Sequence, residues 1–189
     1  MKVFVTGGTG FIGGHVVHRL RERGDEVRAL VRRPAKAKPL TELGCEIVAG
    51  SLADAAAIRA GMEGCDGAIH GAAIYEVGIP ESEHQAMHDA NVGGTEMVLR
   101  AALEARVPRV VYISTVAAFG NTHGEVVDES YEHPGTDYTS YYERTKVEAH
   151  RLARRLIADE GLPGVIVQPG GVYGPDDHSA IGRQMNQFL

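Results

Sequence analysis

The stretch SYYERTK, residues 140–146, sets Tyr142 four positions before Lys146, and on a helix that spacing puts both on one face. A phenol beside an ammonium is an acid–base pair. A free phenol has a pKa of about 10, too high to work near neutrality, and a cationic neighbour lowers it. The lysine also carries donors suited to the hydroxyls of a cofactor ribose. Tyr141 diverges from this face and pairs with Thr145, while Tyr138 shares the Tyr142 stripe just before the helix start. The same pattern serves plain helix packing, so its surroundings must decide.

A second constellation lies at the N-terminus. In VTGGTGFIGGHVVHRL, Gly7, Gly10 and Gly13 are spaced G-x-x-G-x-x-G between a strand and a helix. That order permits a tight turn, a backbone close to a pyrophosphate and a helix packed hard on its strand. Free amides at the helix start then hold phosphate. Gly7, Gly10, Phe11, Ile12 and Gly13 are accordingly expected to touch a dinucleotide. An NAD-binding fold usually ends its second strand with an acid for the ribose 2′-hydroxyl; here ALVRRP puts Val31 there, followed by Arg32 and Arg33. Guanidinium groups suit a 2′-phosphate, so NADP is preferred, with NAD possible. Arg28 is counted in the same local pocket of charge.

Positioning these groups requires parallel strands. Short β-rich runs at 2–6, 26–31, 45–50, 67–73, 109–115 and 164–170 alternate with helical stretches at 11–23, 54–62, 83–105 and 139–160. The apolar residues of the runs are continuous, as in strands covered on both faces. Asp54 and Thr139 read as N-caps, Gly24 and Gly161 as C-terminal glycines. The expected fold is an α/β doubly wound parallel sheet of Rossmann type with helices on both faces. Ser114 and Thr115 then fall at the carboxyl end of the fifth strand, where such folds collect ligand contacts. Residues 1–175 form the dinucleotide-binding domain, and 176–189 begin a further, truncated one.

Composition narrows the function classes. The net charge of −6 over 189 residues offers no basic field for nucleic acid or an anionic membrane. The apolar runs are too short for a bilayer span, and the chain opens on a strand rather than a signal peptide. Cys45 and Cys65 lack metal-type spacing and read as reduced thiols, which suggests a cytoplasmic protein.

The motifs TGGTGFIG (6–13), HGAA (70–73), NVGGTEMVLRAA (91–102), YIST (112–115), YYERTK (141–146) and QPGGVYGP (168–175) come in one order and cover nearly the whole chain. In this it resembles the extended short-chain dehydrogenases/reductases, the NAD-dependent epimerase/dehydratase group. VRALVRRP and VYGPDDHS look more like its dihydroflavonol-reductase and hydroxysteroid-dehydrogenase side. The resemblance implies a catalytic triad of Thr115, Tyr142 and Lys146, with Ser114 as the fallback hydroxyl. It implies that Ala72 and Ala73 line the cofactor, that Asn91 supports the site, and that Pro169 to Val172 meet the nicotinamide side. Ser51 and Leu52 fall where the family places Asp and a hydrophobic residue against adenine, so adenine recognition is expected to be looser. Members usually continue for well over a hundred residues into a substrate domain, and they often dimerise through two long helices, here 83–105 and 139–160.

The implied activity is hydride transfer between NADPH and a ketone or aldehyde, or the corresponding alcohol. Its rivals are a nucleotide-sugar epimerase holding NAD tightly and a non-catalytic dinucleotide-binding regulator. Other groups are set aside: HQAMH (84–88) places two histidines at i and i+4 with Gln85 between them and no third ligand, so no metal is expected. His70 reads as a packed strand histidine, and Asp176, Asp177 and His178 as a polar loop.

Overall fold

The computed structural model describes residues 1–177, 180–185 and 187. Six strands form one parallel sheet: β1 (Lys2–Thr6), β2 (Glu26–Val31), β3 (Glu46–Ala49), β4 (Gly67–His70), β5 (Val110–Ile113) and β6 (Gly164–Val167). Their order, β3-β2-β1-β4-β5-β6, reverses direction between β1 and β4. Outside the carboxyl ends of that pair, a doubly wound sheet opens its ligand crevice. The helices are α1 (Phe11–Glu22), α2 (Lys38–Glu42), α3 (Ala55–Met62), α4 (His84–His88), α5 (Gly94–Glu104), α6 (Tyr141–Asp159) and α7 (Ala180–Met185).

The pleat of β1 sorts the core into two layers. Phe4 faces Ile58, Met62, Val98, Leu99 and Leu156 under α3, α5 and α6. Val3 and Val5 face Val17, Val27, Ala29, Val31 and Leu40 under α1 and α2. Full burial of a side chain of this size contributes about 1.5–3 kcal/mol, so the two layers clamp the sheet that carries the site. Coverage thins at the far edge, where Val165 and Val167 of β6 are 63% and 42% exposed.

Several sequence expectations need correction. The strand of the run 67–73 ends at His70 and that of 109–115 at Ile113; beyond them Gly71 N still donates to Thr6 O at 3.2 Å and Ser114 N to Val167 O at 2.8 Å before the chain leaves the sheet. The expected helix 83–105 is broken into a 3-10 turn, α4, a π-helical turn at Asp89–Gly93 and α5. The N-cap of α6 is Ser140, not Thr139. Ser140 accepts from Glu143 N at 3.1 Å, and the Glu143 carboxylate accepts from Thr139 in return. Asp54 does cap α3, accepting from Ala57 N at 3.0 Å. Arg28 stands apart from Arg32 and Arg33: its guanidinium donates to the carbonyls of Ala60, Gly61 and Glu63 at the end of α3.

Candidate active site

The glycine turn packs backbone against backbone. Gly7 has φ +82°, and a Cβ on it would lie 2.8 Å from Ala72 N, in the segment that follows β4. A Cβ on Gly13 would lie 2.1 Å from Gly7 O. The loops after β1 and β4 therefore meet at the reversal of strand order, tied by Ala72 N donating to Thr6 Oγ1 at 3.3 Å. Gly10 takes the cap position of α1 with no side-chain cap and no acid in the first turn. The amides of Phe11, Ile12 and Gly13 precede any intrahelical partner, leaving a positive helix end bounded by close backbone. This arrangement fits a pyrophosphate.

The other expected contacts are distributed around the same crevice. Ala73 is exposed just beyond Ala72. Arg32 is exposed at the end of β2 with Arg33 beside it. Ser51 Oγ accepts from Ala53 N at 3.3 Å, and Leu52 packs on Gly94, where a Cβ would come 2.6 Å from its Cδ1. Pro169 O accepts from Val116 N at 3.1 Å, joining the end of β6 to the turn after β5. Val172 and Tyr173 lie against Phe11, Ile12 and His15, lining an apolar groove of about 530 Å³.

On the opposite lip, Thr115 and Tyr142 come together. Thr115 caps the 3-10 turn Val116–Phe119, its Oγ1 accepting from Ala117 N at 3.2 Å. The same side chain lies close enough to the Tyr142 phenol to favour its ionised form. Ser114, one residue earlier on the strand, points the other way and is buried against His150 Nδ1 at 3.0 Å. Of the two hydroxyls, Thr115 is the one that bears on the Tyr142 phenol. The Tyr142 ring meets Tyr75 edge-on at 5.0 Å, and its backbone carbonyl accepts from Thr145 Oγ1 at 2.8 Å. Thr145 in turn receives Asn91 Nδ2 at 3.0 Å. Asn91, in the π turn, also exchanges two hydrogen bonds with the Ile74 backbone, at 2.7 and 3.0 Å. One buried amide thereby fixes both the loop after β4 and the start of α6.

Two expectations about the tyrosines change. Tyr141 does not pair with Thr145; it stacks on His84 with ring centroids 3.8 Å apart. Lys146 does not pull the Tyr142 phenol down. Burial pushes that phenol up to about 12, Tyr75 adds to the rise, and only Thr115 opposes it. The lysine is buried instead against β5, donating to Tyr112 Oη and to Ile113 O, both at 3.3 Å, and burial lowers its pKa to about 8.

Tyr112 was missing from the sequence reading, although its place two residues before Ser114 put it on a known strand face. His70 is buried between Thr6 Oγ1 at 2.7 Å and Thr95 Oγ1 at 2.9 Å and stacks on Tyr112. Burial holds it neutral, with a pKa of about 3. Of the other set-aside groups, His88 pairs with Glu148 at 3.0 Å, Asp176 has φ +64°, Asp177 is buried, and His178 lies outside the described residues. Among the described residues, no group of three His, Cys, Asp or Glu side chains is placed to hold a metal. No helix among them is long and apolar enough to cross a membrane.

Comparison with known proteins agrees with this fold. The model of the NAD dependent epimerase/dehydratase family matches residues 3–189. A 4-hydroxy-2-methyl-3-oxo-4-farnesyl-3,4-dihydroquinoline-1-oxide ketoreductase of Stigmatella aurantiaca is 37% identical over 178 residues, 94% of this chain and 52% of its own. A putative dihydroflavonol 4-reductase of Synechocystis sp. is 39% identical over 175 residues, 92% of this chain and 50% of its own. The chain spans about half the length of these curated relatives. Among solved structures, DesIV of Streptomyces venezuelae, a dTDP-glucose 4,6-dehydratase with NAD bound, superposes with a TM-score of 0.84 at 28% identity, covering 100% of this chain and 62% of that one.

Proposed function

The chain belongs to the NAD dependent epimerase/dehydratase family, and from that premise we propose that it is an oxidoreductase acting on a ketone or aldehyde with NADPH. The observation that carries the proposal is that α6 packs on the turn after β5, bringing Thr115 to bear on the Tyr142 phenol, in a fold that also holds the backbone-packed glycine turn. A nicotinamide dinucleotide, when bound, supplies or accepts the hydride.

The residues of the chain divide the remaining work. Gly7, Gly10 and the first turn of α1 hold the pyrophosphate by backbone amides. Lys146 presents a fixed cation beneath the crevice. Tyr142 keeps its proton throughout the neutral range, because burial holds the phenol near 12, and gives it to the carbonyl oxygen as charge develops there. Thr115 polarises the same oxygen. Around this point the surface is apolar and exposed: Tyr75 at 56%, Val116 at 46% and Val172 at 38%. That lining suits an apolar carbonyl compound better than a nucleotide sugar. The similarity to two reductases supports the same reading.

The test is oxidation of NADPH by the purified protein in the presence of a panel of apolar ketones and aldehydes. A regulatory dinucleotide binder holds NADPH and oxidises none of it. Cofactor choice has its own prediction. Replacing Arg32 and Arg33 with alanine should weaken NADPH binding about tenfold to a hundredfold, the value of one or two charge-assisted hydrogen bonds. NADH binding should stay unchanged. Fluorescence titration measures both, and equal affinity of the unmodified protein for the two nucleotides defeats the arginine argument.

A further inference from the structure

Beneath the crevice a buried hydrogen-bond network runs from β1 through β4 to α5, and its donors can be counted. Thr95 Oγ1 donates its single proton to Asn91 O at 2.6 Å. At the contact with His70 Nε2 it must therefore accept, so the neutral imidazole carries its proton on Nε2. Nδ1 is left to accept from Thr6 Oγ1, which itself receives Ala72 N. Tyr112 stacks on His70 with ring centroids 5.6 Å apart, and its phenol lies beside Thr95. The Tyr112 oxygen carries lone pairs that can accept. A lone pair remains for a donor, and the donor present is Lys146 Nζ at 3.3 Å. The ammonium also stands 5.2 Å from the Tyr112 ring centroid.

We propose that Tyr112 is the positioning residue of Lys146: its oxygen holds the ammonium at the floor of the crevice and leaves Tyr142 free to act as the proton donor. A lysine and a tyrosine four apart on one helix would be the obvious pair, yet the partner comes from β5. The titratable groups facing Lys146 are Tyr112 from β5, His70 from β4 and His150 one turn along α6; Tyr142 bears on Tyr112. None is a carboxylate, so the phenol oxygen and the Ile113 carbonyl are what stabilise the buried charge. The consequence for turnover rests on the reaction proposed above, whereas the state of the lysine does not.

The experiment is an NMR titration of isotope-labelled lysine Cε in the free protein, with Lys146 assigned from Lys146→Met. Tyr112→Phe keeps the ring and removes the acceptor. The Lys146 midpoint should fall by about one pH unit or more, a tenfold loss of proton affinity. An unchanged midpoint in folded Tyr112→Phe overturns the proposal. Should that variant fail to fold, labelled tyrosine Cζ in Lys146→Met serves instead. Loss of the ammonium should move the Tyr112 resonance and leave Tyr142, assigned from Tyr142→Phe, in place; the reverse pattern overturns it. Where carbonyl turnover is measurable, the alkaline limb of kcat/KM should move to lower pH in Tyr112→Phe, because the needed ammonium is lost earlier as pH rises. A simple packing defect lowers stability and leaves that limb where it was. A shifted lysine midpoint with no turnover in any variant counts against the proposed reaction and for the tyrosine–lysine assignment.

Discussion

Tyr142→Phe should reduce carbonyl turnover by about 10²–10⁴-fold, the usual worth of a positioned general acid, while NADPH binding changes little. The substitution preserves the ring and its edge-on contact with Tyr75 at 5.0 Å. What disappears is the hydroxyl on which Thr115 bears. The backbone of this turn is held independently by Thr145, Asn91 and the Ser140 cap, so the fold has no reason to fail. Steady-state kinetics beside a nucleotide titration separates the two roles. Turnover equal to that of the unmodified protein would falsify the assignment of Tyr142 as proton donor. The elevated phenol pKa also sets a direction for pH. Carbonyl reduction uses the protonated phenol and is supported throughout the neutral range. Alcohol oxidation needs the phenolate, so its rate should climb with pH towards about 12.

Gly13→Ala should be the more damaging change to binding. The added methyl would sit 2.1 Å from Gly7 O and 2.6 Å from Gly7 C, contacts between main chain and a rigid helix that no rotamer relieves. Overpacking of this kind costs about 1–3 kcal/mol, which lowers Tm by roughly 2–12 °C in a chain of this size. Relief requires α1 to move off the end of β1, and the pyrophosphate cradle is built from that contact. Dinucleotide affinity should therefore fall about a hundredfold or more, equivalent to about 2.8 kcal/mol. Gly24→Ala is the matched control. Its φ of +80° makes alanine strained, but nothing lies within 4 Å of the added Cβ, and the position is at the far end of α1. That variant should lose about 1–2 kcal/mol of stability and bind as before. If calorimetry finds both variants binding equally well, the glycine turn is not the phosphate site.

Much of this architecture follows from local pattern. Continuous apolar runs marked the strands because the inner ones are covered on two faces for most of their length, while the outer strands β3 and β6 are only partly covered. Glycine spacing marked the turn because only backbone fits between Gly7, Gly13 and Ala72. The turn and helix at 34–42 escaped notice, since Pro34, Pro39 and the lysines between them carry loop chemistry. The π turn was equally invisible: one extra residue in a helix leaves no periodic trace strong enough to read.

By itself, then, the order of residues determined which side chains could share a helix face or a strand end: Tyr142 with Lys146, Ser114 beside Thr115. Only the tertiary structure decided which partners they took. Lys146 reaches across 34 positions to Tyr112, Ser114 turns inward to His150 and Thr115 outward to Tyr142. The reason is physical. Periodicity encodes the direction in which a side chain leaves its own element, whereas its hydrogen-bond partner and its proton affinity depend on what other elements bring against it and on how much water they exclude.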